Sequence, residues 1–225
     1  FYNTDKDIYR RLIRYAKDYN SGRFVTVVSN EIFDRLENDE SLLGDIPTWN
    51  DYTGTWHGKS REETPDKLAL INNRALKGRP LLITEHGLCV PRFVGADARR
   101  VVEMTYHYDQ WAKNKFIIGV IYFSLNDYRT HVGEAGFGRY KSRVHGLSSM
   151  WFDKKPSFQV YKGLAAPIYV ENLHIRASGK EAQVVLKVKD DLPSYTLRKY
   201  TVRWKTVTGM KKLELPDLKP GERYT

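Results

Sequence analysis

Apolar residues recur at helical spacing over residues 5–20. There Ile8, Leu12, Ile13, Ala16 and Tyr19 share one face, Asp5 is placed to cap the start and Ser21-Gly22 to end it. The run RFVTVVSN that follows is short and β-branched, which predicts a buried strand. Residues 31–44 carry no sustained period and predict an irregular or short helical connection, after which DIPTWNDY reads as a weaker strand. Pro65 occupies a first helical position, so a helix is predicted from there to Leu76, ahead of Gly78. PLLITEH predicts a strand, and residues 96–114 a helix with Val101, Val102, Met104, Tyr108 and Trp111 as its apolar set. FIIGVIYFSL is the most strand-like segment, and its near-continuous apolar character suits a parallel sheet covered by helices. A loop of about 20 residues, a length that usually signals function, then leads to a final helix near 156–164. Helix and strand alternate throughout, which predicts an α/β fold for residues 1–164.

Beyond Ala165 the pattern becomes all-β. IYVENLHIRAS, EAQVVLKVKDD, YTLRKYTVRWKTV and MKKLELPDL read as strands, with turns at Ser178-Gly179 and Thr208-Gly209. Residues 165–225 are therefore expected to form a second, β-sandwich-like domain. Four strands leave an open sheet, so that domain is expected to be incomplete.

Composition refines this picture only in part. With 41 % hydrophobic and 13 % aromatic residues in 225, a packed core is expected and disorder is not. No apolar run approaches the length of a membrane-spanning helix, and no membrane partner is expected. A single cysteine, Cys89, excludes an internal disulfide and a four-cysteine zinc site, and its expected role is a buried thiol. The six histidines show no tight ligand spacing, so neither a metal site nor a cofactor is predicted. The net charge of +10 invites a polyanion partner. It is spread evenly, however: residues 1–164 carry 25 basic and 20 acidic side chains, and residues 165–225 carry 12 and 7. Solvated mixed-sign faces account for this better than nucleic-acid binding, which would have to rest on charge alone. The chain starts Phe-Tyr-Asn, with neither an initiator Met nor a signal pattern, which predicts a processed product, a domain or a partial chain whose compartment is unknown.

Parallel βα architectures place their working residues at the carboxyl ends of strands. Those ends carry Ser29-Asn30-Glu31, Asn50-Asp51-Tyr52, Thr84-Glu85-His86 and Ser124 to Asp127. Glu85 is the most informative, because a rigid strand would hold it in the way a carboxylate nucleophile requires; a charged strand end capping the next segment fits the pattern equally well. Trp49, Tyr52 and Trp56 cluster around Asn50, and aromatic faces beside amide groups suit sugar rings as well as they suit a core. Arg129, His131, Glu134, Arg139, Lys141, Arg143 and His145 line the long loop, either toward a polar ligand or as a solvated, salt-bridged loop.

These segments resemble glycoside hydrolase family 2, the family of β-galactosidases, β-glucuronidases and β-mannosidases. GRPLLITEHG resembles the family's nucleophile strand, RFVTVVSN its fifth barrel strand and WNDYTGTWHG its sixth. GVIYFSLNDYRTHVGE followed by GLSSMWFDKKPSF is similar to its eighth strand, long loop and last helix, and the trailing strands resemble its following β-domain. The matches fall in order over residues 1–164. The resemblance implies the C-terminal half of a (β/α)8 barrel, strands five to eight, from a retaining exo-β-glycosidase. It makes Glu85 the nucleophile, Tyr52 its tyrosine contact and Trp56 a mobile edge of the sugar pocket. Phe123 stands where many relatives have a pocket-floor Trp, and His86 replaces a common Tyr. Asn50 and Asp127 join the implied sugar contacts. The Asn-x-Lys pair that grips the carboxylate in β-glucuronidases is replaced by Arg143-Val144-His145, which favours a β-galactosidase-like glycone.

A retaining enzyme needs a second carboxylate as acid/base. Asn30-Glu31 imitates the family's dipeptide, but it lies two strand steps before Glu85 rather than three, on the segment matching strand five, and is read as a decoy. The acid/base is expected upstream, on a missing N-terminal part of the same protein. That makes the isolated chain inactive toward its carbohydrate substrate. A non-catalytic carbohydrate-binding or assembly role is the alternative.

Overall fold

Three short parallel strands organise the first of two units, Phe1–Leu164 and Ala165–Thr225, into which the computed structural model divides. Residues 6–19, 22–89, 95–133, 141–176 and 181–225 are described. Strands β1 (Thr48–Asn50), β2 (Leu81–His86) and β3 (Ile117–Tyr122) form a sheet in that order. Leu81 and Ile83 are fully buried on β2, as expected of a strand covered by helices.

The crossovers are helical. Helix α1 (Lys6–Tyr19) precedes the one-turn α2 (Ile32–Arg35), and α3 (Thr64–Ile71) starts with Pro65 in its first turn. Helix α3 widens into π turns over Asn72–Leu76, then stops at left-handed Lys77 and Gly78. Helix α4 (Ala96–Ala112) buries Arg100, Glu103, Met104, His107, Tyr108 and Trp111, a stripe at three- and four-residue intervals. Helix α5 (Pro156–Leu164) packs Phe158, Val160, Tyr161 and Leu164 on the cluster of Met104, Tyr122 and Leu147. Between β3 and α5 the long loop forms a small ribbon, β4 (Tyr128–Arg129) against β5 (Ser142–Arg143). The expected loop residues Glu134 and Arg139 lie outside the described residues.

Two expectations are corrected. RFVTVVSN is extended but forms no regular ladder. It runs beside β1 through Asn50 N–H to Ser29 O (2.7 Å), Asp45 N–H to Val25 O (2.8 Å) and the Thr48 hydroxyl, which donates to Val27 O (2.6 Å) and accepts from Ser29 N–H (3.2 Å). A side chain thus stands in for ladder bonds, and the segment is an exposed edge rather than a buried strand, with Phe24 81 % accessible. On α1 only Ile13 of the predicted apolar face is buried; Ile8, Leu12 and Tyr19 are exposed.

In the second unit, β6 (Ile168–Ile175), β7 (Ala182–Val188) and β10 (Arg223–Tyr224) make an antiparallel sheet in the order β10-β7-β6. Strands β8 (Thr201–Thr206) and β9 (Gly209–Glu214) form a separate hairpin, turned at Gly209 with φ 124°. Val188, Leu197, Leu215 and Leu218 form the core. The predicted turn at Ser178-Gly179 lies outside the described residues.

One buried bond ties the helical layer to the sheet. Trp111 Nε1 on α4 donates to Asp51 Oδ2 (3.0 Å), while Thr53 N–H donates to Oδ1 (3.0 Å); Trp111 and Asp51 are 0 % and 1 % accessible. Trp111→Phe leaves one carboxylate oxygen without its donor, at a cost of about 1–3 kcal/mol. Urea unfolding is expected to show a lower midpoint with an unchanged slope.

Candidate active site

The end of β2 carries one residue more than either neighbour allows. Along β1 the pairing steps from Trp49↔Ile83 to Asn50↔Glu85; along β3 it steps from Ile83↔Val120 to His86↔Tyr122. Both registers slip across the same stretch, so β2 bulges at Thr84-Glu85. Strict alternation would place Glu85 with Leu81 and Ile83 on the buried side. After the bulge His86 takes that place, 3 % accessible, and Glu85 is half-buried.

There Glu85 meets Tyr52, whose hydroxyl donates to Oε2 at 2.9 Å. Burial, and next the Glu85 carboxylate itself, push the Tyr52 phenol far above its ordinary value, so it stays a protonated donor. The backbone is fixed as well: Asp51 N–H donates to Glu85 O (2.8 Å), and Phe123 N–H to His86 O (2.9 Å). Gly87 makes that approach feasible, since a Cβ there would collide with the Phe123 carbonyl oxygen. Glu85 is thus fixed by a phenol on its carboxylate and a backbone bond at its carbonyl, with a second backbone bond at the next residue.

Aromatic rings gather around His145. Its ring lies 6.5 Å from Trp56, 5.5 Å from Phe123 and 6.3 Å from Tyr128, onto which it stacks. Trp56 and Phe123 are half-buried, whereas Trp49 is fully buried against Phe33 and belongs to the core. Asn50 is buried with both ends of its amide engaged: Nδ2 donates to Asn30 Oδ1 (3.0 Å), and Oδ1 accepts from the Thr84 hydroxyl (2.8 Å). It therefore stitches the edge segment, β1 and β2 together beside Glu85.

Asp127 is likewise tied up. Lys155 Nζ donates to both of its oxygens (2.7 and 2.9 Å) and to Gly146 O (2.9 Å), and Gly146 N–H donates to Asp127 Oδ1 (2.8 Å). In this arrangement it clamps the loop. Glu31 also has a partner, the Arg35 guanidinium at 2.9 Å. Cys89 is fully buried, and among the described residues no three His, Cys, Asp or Glu side chains are grouped to hold a metal.

Several supporting residues carry no strand-end signal. Arg100, 1 % accessible, donates to Leu88 O and to Val144 O (2.7 Å), linking the exits of β2 and β5. His86 sits edge-on to Trp111 (4.7 Å), Tyr122 (4.9 Å) and Tyr108 (5.9 Å). The readable signal for Arg100, Glu103 and His107 was their spacing on the apolar stripe of α4.

No protein-family model and no curated protein matches this chain. Solved structures do. A family 2 β-galacturonidase from Eisenbergiella tayi, bound to galacturonate, is 17 % identical over 71 % of this chain and 30 % of its own, with a TM-score of 0.58. An FMN-binding β-glucuronidase from Faecalibacterium prausnitzii L2-6 is 14 % identical over 97 % of this chain and 37 % of its own (TM-score 0.59). A β-D-glucuronidase of Dictyoglomus thermophilum is 15 % identical over 71 % and 28 % (TM-score 0.57). The chain thus spans about a third of the length of these structures. It shares the fold of part of these glycoside hydrolases, the class that the strand motifs resemble.

Burial, then His107, holds His86 well below the ordinary histidine value of 6.5, and burial, then Lys67, lowers His57. A group depressed on folding contributes stability above its unfolded pKa and loses it as the pH falls, because the unfolded chain then binds more protons. Stability is expected to fall as the pH drops below about 6.5, the ordinary histidine value. His86→Phe should lessen that loss, read as urea midpoints at pH 7.5 and 5.0.

Proposed function

We propose that this chain supplies the nucleophile side of a retaining β-glycosidase: the C-terminal half of a (β/α)8 barrel, with the RFVTVVSN segment as its extended edge, followed by part of a β-sandwich. The observation that carries this reading is Glu85 itself, turned by a bulge to the end of a parallel strand and held by the Tyr52 phenol. Glu85 attacks the anomeric carbon, the bond to the leaving oxygen breaks, and a covalent glycosyl-enzyme forms that water then hydrolyses. Tyr52 orients the attacking carboxylate, and Trp56 and Phe123 offer ring faces to the sugar. Asn50 and Asp127 act on the substrate indirectly, through the strand ends and the loop that they fix.

The acid/base carboxylate, about 5 Å from the nucleophile in a retaining site, comes from a segment outside these 225 residues. The engagement of Glu31 with Arg35, and its place beyond the edge segment next to β1, two steps from β2, support this assignment. For the glycone, Arg143-Val144-His145 favours a β-galactoside-like neutral sugar. A uronoside is the second reading, suggested by the galacturonate-bound β-galacturonidase and the β-glucuronidase that share this fold.

A 2-deoxy-2-fluoro β-glycosyl inactivator is expected to label the peptide containing Glu85 in the full-length polypeptide. Glu85→Gln should abolish that labelling, and Tyr52→Phe should slow it about a hundredfold. Reversible sugar binding without labelling would leave only the carbohydrate-binding role. The isolated chain should not turn over aryl β-galactosides or β-glucuronides; hydrolysis that Glu31→Gln abolishes would make Glu31 the acid/base and overturn the assignment.

A further inference from the structure

Behind Glu85, on the α4 side of the sheet, lies a small pocket of about 10 Å³, lined by residues that include Tyr52, Thr53, His86, Glu103 and His107. That volume suits the centre of one water molecule. Four of its side-chain atoms are inaccessible to solvent and lack a hydrogen-bond partner: Thr53 Oγ1, His86 Nε2, Glu103 Oε2 and His107 Nε2. Thr53, His86, Glu103 and His107 are 0, 3, 9 and 6 % accessible, so bulk water does not serve them. Leaving even one such atom unpaired is costly, and four on one pocket are a strong demand for a shared partner.

The chemistry of the four atoms specifies that partner. His107 Nδ1 lies 2.8 Å from the Glu103 backbone carbonyl, which only accepts, so Nδ1 donates there, and in the Nδ1–H tautomer Nε2 presents a lone pair. Glu103 Oε2 also accepts; its other oxygen takes Arg99 Nε at 3.2 Å, and Arg61 stands 3.8 Å from Oε2. Neutral His86 can donate from Nε2, and the Thr53 hydroxyl can do either. Two acceptors, one donor and one hydroxyl complement a molecule with two donors and two acceptors.

We propose that this pocket is a binding site for one long-lived water molecule, held by His86, His107 and Glu103, and that this water makes His86 and His107 positioning residues for the strand end bearing Glu85. The water couples α4 to His86, whose carbonyl already receives Phe123 N–H while Glu85 O receives Asp51 N–H. Tightening at His86 is thereby passed to the residue before it.

The test needs no substrate and stands apart from the glycosidase reading. In the chain labelled with 15N-histidine, the His86 and His107 ring protons are expected to show cross-relaxation with a long-lived water, and His107 to be protonated on Nδ1. His107→Phe should remove the water signal at His86 and speed amide exchange at Asp51 and Phe123 by about tenfold. His107→Gln, which keeps a polar atom, should restore both toward wild type. Absence of the water signal in the wild type overturns the proposal, whether or not the Phe variant folds. Equal loosening in the Phe and Gln variants overturns the positioning role, and failure of Glu85 labelling would leave this result untouched.

Discussion

The bulge at Thr84-Glu85 is the constraint on which the rest of the site depends. A pleated strand sends alternate side chains to opposite faces, and Leu81 and Ile83 are committed to the buried one. Without the extra residue Glu85 would follow them, and a charge would be buried beneath the helices at a cost few folds tolerate. With it, an uncharged imidazole fills the helix-facing place and the carboxylate meets a phenol. Around that local exception the other interactions are arranged: Asn50 ties β1 to β2, Gly87 lets β3 come close, and Arg100 ties the following loop to β5.

Much of this was legible in the chain. The helices α1 and α4 follow the apolar period, α3 starts at its Pro65, and β2, β3 and β6 to β9 follow β-branched or alternating runs. Glu85 stood out because the end of LLIT would hold a carboxylate rigidly, although a charged cap on the next segment fits the same pattern equally well. The bulge was not legible, since a register slip is a property of three strands together and no single one of them encodes it. The same holds for Asp127. Its candidate status came from its position after β3, whereas its partner Lys155 arrives 28 residues later through the fold.

The α1 face and the RFVTVVSN segment show a different limit. Their apolar period and β-branched composition describe a surface made to be covered, yet Ile8, Leu12, Phe24 and Val28 are exposed. Sequence reports the preference of a side chain for burial; the contacts that satisfy it depend on which other segments are at hand. The low identity to the solved hydrolases is consistent with this. At 14–18 % identity the chain still shares the fold of part of each of these structures.

The free side of β3 has one more consequence. Ile118 and Ile121 are about half exposed on a strand that pairs only with β2 among the described residues. An edge able to accept a neighbouring strand does not discriminate between the intended neighbour and a copy of itself. Pairing of that edge with a second copy would grow with protein concentration. For this polypeptide, dilution protects the sheet in a way that cooling, which weakens apolar association without blocking the hydrogen-bonding edge, does not.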